Sequence, residues 1–298
     1  MGTNTVTGPS GSGSGASYGI FAWYPNERID LTISGDGSLT VTGGGTVSES
    51  CGIYTDNLIV QSGTGTVNAT GGDGAEDSYG IYAYDVTISG GDVTATGGTV
   101  NATSEDGEED SYGIYAANDF TISGGAVTAT GGDSAEDSYG IYADYVTITG
   151  GTVTAEGGTA GEKSAGIDIV ALTISGGTVT ATGNISGVYG SSEDGKVTIA
   201  PQTDQQIAVL LGESETAAAA IVGSPFASET EITSQVNNSG KYFHSEVVGT
   251  TPPEPEEFTI TFDPAGGTPP APQPTVDGQL TSLPNPTPAG SAFLARYT

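Results

Sequence analysis

Hydrophobic and polar side chains alternate along this chain in short runs, and the runs recur. Residues 78–98 show the unit: Ser78-Tyr79-Gly80-Ile81-Tyr82-Ala83, then Val86-Thr87-Ile88-Ser89-Gly90-Gly91, then Val93-Thr94-Ala95-Thr96-Gly97-Gly98. A period of two marks an extended strand with one buried face. It places Ile81, Ala83, Val86, Ile88, Val93 and Ala95 on one side, and Tyr82, Thr87, Thr94 and Thr96 on the other. Tyr18, Tyr79, Tyr112 and Tyr139 share the inward parity, which predicts a column packed at a corner of the core. Three short strands with Gly-Gly corners predict a three-sided coil, since glycine reaches the positive φ that sharp corners demand.

Aligned on the Gly-Ile/Val step, the unit recurs at Gly19, Gly52, Gly80, Gly113, Gly140, Gly166 and Gly187. Stacked coils would pair each strand in parallel with its equivalent one rung away, about 4.8 Å off. Helical periodicity is absent over 17–200, as are the hexapeptide period of left-handed β-helices and the Asp-containing nonapeptide of calcium β-rolls. The predicted fold is all-β: a right-handed parallel β-helix of about seven three-stranded coils over residues 17–200. Residues 1–16 read as a flexible N-terminal segment without the charged and apolar regions of an export signal. The repeat is lost over 201–250, which predicts a C-terminal cap, because an open coil end exposes core and unpaired backbone. Residues 251–257 are a stiff Pro/Glu linker, and 258–298 begin a small β-grasp-like unit.

Composition narrows the partners. The net charge of −31 comes from 36 acids against five bases, Arg28, Lys163, Lys196, Lys241 and Arg296. Nucleic acid and anionic membrane surfaces are thereby disfavoured, since phosphate neutralisation needs clustered Lys and Arg. Acidity of this degree either keeps an extracellular protein soluble or holds divalent cations. The single Cys51 rules out an intramolecular disulfide, and no stretch resembles a membrane span.

The run Gly-Ile-Tyr-Ala … Val-Thr-Ile-Ser-Gly-Gly … Val-Thr-Ala-Thr-Gly-Gly resembles the repeat of clostridial-type surface proteins with a β-helical carbohydrate-binding domain. The resemblance covers roughly residues 17–248, including Ser224-Pro225-Phe226 and Lys241-Tyr242-Phe243-His244. It implies a right-handed β-helix, bound calcium, and affinity for acidic plant polysaccharide or cellulose at a bacterial cell surface. Residues 258–298 resemble a Listeria–Bacteroides (internalin B-type) repeat through Phe258–Asp263, Gly266-Gly267, Leu283-Pro284 and Phe293–Thr298, with Arg296 where members usually have Trp.

Three surface columns are candidate sites. Insertions between the third strand and the next Gly-Ile step would emerge at one corner. They carry Asp73, Glu76, Asp77, Glu105, Asp106, Glu108, Glu109, Asp110, Asp133, Glu136 and Asp137. Carboxylates about 5 Å apart on adjacent rungs repel by roughly 1 kcal/mol in water. Calcium, with six to eight oxygen ligands, would turn that repulsion into a cross-link; the alternative is a solvated, solubilising loop stack. Phe21, Tyr54, Tyr82, Tyr115 and Tyr142 form an outward aromatic column, flanked by Asp85, Asp119 and Asp144 at the next corner. That strip is either a stabilising ladder or a sugar-binding surface. Finally, Thr40, Thr94, Thr128, Thr154 and Thr180 lie beside Thr42, Thr70, Thr96, Thr130 and Thr182, with Asn68 and Glu156 interrupting. Ordinary strand preference accounts for these, and an ice-binding face is the alternative. No catalytic residue is expected: His244 has no nearby triad, and Arg28 and Lys163 are isolated. The chain reads as a calcium-stabilised, polysaccharide-binding module, or as a structural stalk that binds no glycan.

Overall fold

The computed structural model describes residues 2–10, 15–45, 48–74, 76–100, 109–190, 195–236 and 240–250, and the short strands Thr259–Ile260, Gln273–Val276 and Gln279–Leu280. It divides into two units, Met1–Thr250 and Thr251–Thr298. The second is described only as antiparallel pairs joining Gln273–Val276 to Thr259–Ile260 and to Gln279–Leu280.

The first unit is a parallel β-helix. Seven first-face strands stack in order: Ser17–Ala22, Ser50–Thr55, Ser78–Ala83, the starts of Ser111–Ile122, Ser138–Ile148 and Ser164–Ile174, and then Ser186–Gly190. Third-face strands run parallel from Thr3–Thr7 through Ser38–Thr42, Thr66–Thr70, Asp92–Thr96, Ala126–Thr130 and Thr152–Glu156 to Thr178–Thr182. The strand Thr3–Thr7, which pairs with Ser38–Thr42, corrects the expectation of a flexible segment over residues 1–16. Three coils also depart from three separate strands. In Ser111–Ile122, Ser138–Ile148 and Ser164–Ile174 the first two faces merge into one strand, and its first member shifts register between Ala116 and Asp119.

Like residues sit above like. Val86, Phe120, Val146 and Leu172 are in register, as are Ile81, Ile114, Ile141 and Ile167. These side chains fill one continuous aliphatic core. Two kinds of glycine are distinguishable, at the corners and within the first-face strands. Gly35, Gly63, Gly91, Gly125, Gly151 and Gly177 all have positive φ, from 78° to 102°. Gly113 has ordinary φ but no room: a Cβ there would lie 2.5 Å from Thr130 N and 2.6 Å from Gly140 O.

Antiparallel strands end the parallel ladder. Tyr242–Thr250 lies against Thr178–Thr182, and Gln205–Gly212 lies against Tyr242–Thr250. Ile207, Val209, Phe226, Ile232, Val236 and Phe243 are buried over the last coil. Gln205–Gly212 is followed by a 3-10 turn, Glu215–Ala217.

Candidate functional site

The tyrosines form a double column. Phe21 stacks on Tyr54 at 5.3 Å, Tyr54 on Tyr82 at 4.5 Å, Tyr82 on Tyr115 at 4.9 Å and Tyr115 on Tyr142 at 5.0 Å. The last three pairs are parallel to within 7°. Asp168 takes the next rung and is buried, and Tyr189 resumes the column. Tyr79, Tyr112 and Tyr139 make the second column, at 5.0 and 5.6 Å. The two meet edge to face, as at Tyr79–Tyr82 (5.2 Å) and Tyr112–Tyr115 (5.2 Å).

Tyr79, Tyr112 and Tyr139 are buried, as their parity predicts, with Tyr18 packed against them, but the core they form is not the aliphatic one. They belong to a cluster separate from the aliphatic one, with Tyr54, Tyr82, Tyr115 and Tyr142. The reason is the glycine between the rings. At Gly80 an inward Cβ would meet Thr96 N at 2.5 Å, so the strand turns that position inward together with Ile81. Strict alternation breaks there, and both tyrosines fall outside the aliphatic core. The stack also changes the sugar reading. In Tyr54, Tyr82 and Tyr115 each ring face is covered by a neighbouring ring, so these three rungs offer a pyranose only edges.

The acidic corner is bonded along its length. Asp77 Oδ1 accepts the Asp110 N–H at 3.2 Å, Asp110 Oδ1 the Asp137 N–H at 3.1 Å, and Asp137 Oδ1 the Lys163 N–H at 2.9 Å. Their Oδ2 atoms accept the hydroxyls of Tyr79, Tyr112 and Tyr139 at 2.8, 2.6 and 2.6 Å. Lys163 Nζ closes the column on Asp137 Oδ2 at 3.3 Å. Nearby, Asp73 accepts the Thr99 N–H, Asp133 the Thr159 N–H, and Glu76 the Ser48 hydroxyl. Glu109 is buried, its carbonyl accepting from Ser134 Oγ and from the Glu136 N–H. Glu105, Asp106 and Glu108 lie outside the described residues. Among the described residues, no three Asp, Glu, His or Cys side chains converge as a metal site. Asp77, Asp110 and Asp137, expected as ligands, each accept on one oxygen from the following coil and on the other from the tyrosine two residues on in their own coil.

Burial acts on these groups in the direction charge requires. Desolvation, reinforced by Asp137 and Asp77, pushes the Asp110 carboxyl up to about 6, against the lowering effect of Tyr112. Desolvation also raises Glu49. The Tyr54 and Tyr82 phenols are pushed up to about 12 by burial, with neighbouring charges adding to it. Tyr79, Tyr112 and Tyr139, bonded to carboxylates, are raised further.

Of the flanking acids, Asp85 accepts from Asn118 Nδ2 at 2.8 Å and pairs with Arg28 at 3.1 Å, while Asp119 is exposed and Asp144 half-buried. Arg28 also lies 4.2 Å over the Tyr84 ring. The threonine columns are in register and gain Thr5 and Thr7 as a first rung. His244 Nδ1 is 2.9 Å from Thr180 Oγ1.

Two features escaped sequence reasoning. A buried serine column, Ser50, Ser78, Ser111 and Ser138, donates to one corner glycine carbonyl and accepts the N–H of a glycine one coil on, as Ser78 does with Gly72 and Gly98 at 3.0 and 2.7 Å. The recurrent Ser two residues before the Gly-Ile step was its signal. The second is an exposed aromatic group on the first coil, Phe21 (51%), Trp23 (43%) and Tyr24 (60%). Phe21 heads the aromatic column, but Trp23 and Tyr24 lie outside the regular unit, so column reasoning passed over them.

A family model described as a beta helix repeat matches residues 86–114, 120–141, 146–168 and 172–192. The matched segments begin at Val86, Phe120, Val146 and Leu172, one structural column. Neither the curated proteins nor the solved structures contain a match to the chain. The match supports a β-helical repeat protein; the carbohydrate-binding and internalin-type resemblances rest on the residues quoted for them.

Proposed function

We propose that this chain is a structural, adhesin-type solenoid displayed outside the cell, a stiff spacer rather than an enzyme. The observation that carries the reading is the bonding between coils. Serine, aspartate and tyrosine columns each tie a coil to the next through the same atoms, beside the aliphatic core. Such a repeat spends its side chains on neighbouring repeats, with about 4.8 Å of length gained per coil. The acidity suits a surface that must stay soluble and resist unspecific contact. The reading does not rest on calcium. Mechanical unfolding of the intact chain tests it: high-force, coil-by-coil rupture is expected, and facile extension at low force would sink it.

A second reading, polysaccharide binding, is favoured by the exposed Phe21, Trp23 and Tyr24. Phe21 ends the column and stands half-exposed, with Trp23 edge-on to it at 6.4 Å, and exposed aromatic rings suit the apolar faces of pyranoses. A glycan array probed with the chain and with Trp23→Ala and Tyr24→Ala decides this point. Binding lost in those variants but kept in Tyr115→Ala supports the first-coil group, and no binding by the parent chain removes the reading.

A further inference from the structure

The single tryptophan of the chain, Trp23, stands against the head of the tyrosine double column. Phe21 is the bridge, with its ring 6.4 Å from Trp23, 4.8 Å from Tyr18 and 5.3 Å from Tyr54. From Tyr54 to Tyr142 each ring lies 4.5–5.9 Å from the next. At the second rung Cys51 takes the inner place, so the path there runs through Tyr54, and the Tyr79–Tyr82 contact opens the inner column below it. Both columns are interrupted together at the sixth rung, where Ala165 and Asp168 stand in register with Tyr139 and Tyr142. Phe21 and Tyr142 are four coils apart, about 19 Å.

Stacking alone would stabilise the solenoid and needs no proton acceptors. The inner phenols have them: Tyr79, Tyr112 and Tyr139 each donate to an aspartate Oδ2 at 2.6–2.8 Å, and Tyr18 is hydrogen-bonded to Glu49. A phenol that loses an electron becomes a strong acid, so its oxidation at neutral pH requires a base at the hydroxyl. We propose that the double column is a one-electron relay, carrying an oxidising equivalent from Trp23, where a one-electron oxidant in solution delivers it, to the half-buried Tyr142, where a reductant in solution discharges it. The oxidant takes an electron from Trp23, and water takes the indole N–H proton. The indolyl radical then takes an electron from Tyr18 through Phe21 and a proton from water, while Glu49 receives the Tyr18 proton. In the inner column each oxidised tyrosine passes its proton to its own aspartate, as Tyr112 does to Asp110. When the following ring supplies the electron, the aspartate returns that proton. The half-exposed outer phenols exchange theirs with water, and at Tyr142 an electron from the reductant and a proton from water end the sequence.

Pulse radiolysis of the intact chain with azide radical, which oxidises indole, tests this, with Tyr142→3-aminotyrosine as a more easily oxidised trap. Decay of the indolyl absorption followed by growth of the trap radical is expected, both at rates independent of protein concentration. Tyr112→Phe combined with Tyr115→Phe keeps a ring at each place but leaves the fourth rung without an oxidisable phenol. The charge must then cross two coils at once, about 10 Å, and its arrival at the trap should slow about tenfold or more. Phe21→Leu, at a half-exposed position, removes the bridging ring and should slow the indolyl decay itself. Circular dichroism checks that the variants fold, and Phe21→Leu keeps the test valid if the double variant does not. An indolyl radical that decays only by collision between molecules, trap growth that does not follow it, or kinetics indifferent to either change would overturn the proposal.

Discussion

Glycine in this chain answers two different demands, and substitution separates them. At Gly35, φ is +102° and nothing lies within 4 Å of a built Cβ, so alanine adds only left-handed backbone strain, about 1–2 kcal/mol. At Gly113 the new carbon would strike backbone of its own coil and of the next, and backbone cannot turn aside as a side chain can. Chemical denaturation should show Gly113→Ala to be the costlier, by the ~1–3 kcal/mol of overpacking or more. Asp110 makes a second prediction at this scale. Its folded pKa, about 6, exceeds the ordinary 3.8, so the folded state holds the proton more tightly. Its contribution is therefore fully present below about pH 3.8 and lost as pH rises through about 6. Asp110→Asn should flatten the fall in melting temperature across that window relative to the parent.

At the scale of the element, a column behaves as one object. Tyr112→Phe keeps the stack with Tyr79 and Tyr139 but removes the donor to Asp110 Oδ2. A buried acceptor without its partner costs about 1–3 kcal/mol. The loss should be largest near neutral pH and shrink in acid, where Asp110 is protonated, and melting curves at two pH values check it. The repeat, the alternation and the positive-φ corners were legible in the sequence because each is enforced within a few residues of chain. The core that the second tyrosine column joins was not. Parity counting assumes a regular strand, and Gly80 breaks that regularity through contacts with Thr96 and Gly113, remote in sequence. For the same reason the acids read as mutually repelling loops. Their backbone donors are supplied by the following coil, as the Asp110 N–H is to Asp77, and only register reveals them.

At the scale of the whole molecule, the acidic corner need not depend on an ion. Asp77, Asp110 and Asp137 already have hydrogen-bond donors on both oxygens. Thermal unfolding with and without chelator, at matched ionic strength, should give the same midpoint; a marked drop would show that a bound cation contributes through linkage. The vertical identity of the columns has one more consequence, which concerns heredity rather than stability. Each coil presents to its neighbour the same Ser, Tyr, Ile and Asp that it receives, so neighbouring coils are interchangeable parts. Excising residues 111–137 would join Asp110 to Ser138, so that Ser138 takes the place of Ser111 between the Gly98 carbonyl and the Gly158 N–H while Asp110 keeps its bond to Asp77, with matching atoms on both sides of the join. Such a shortened chain should fold with a single cooperative transition. Unequal recombination between the repeats of its gene could then lengthen or shorten the protein one whole storey at a time, leaving its two ends untouched.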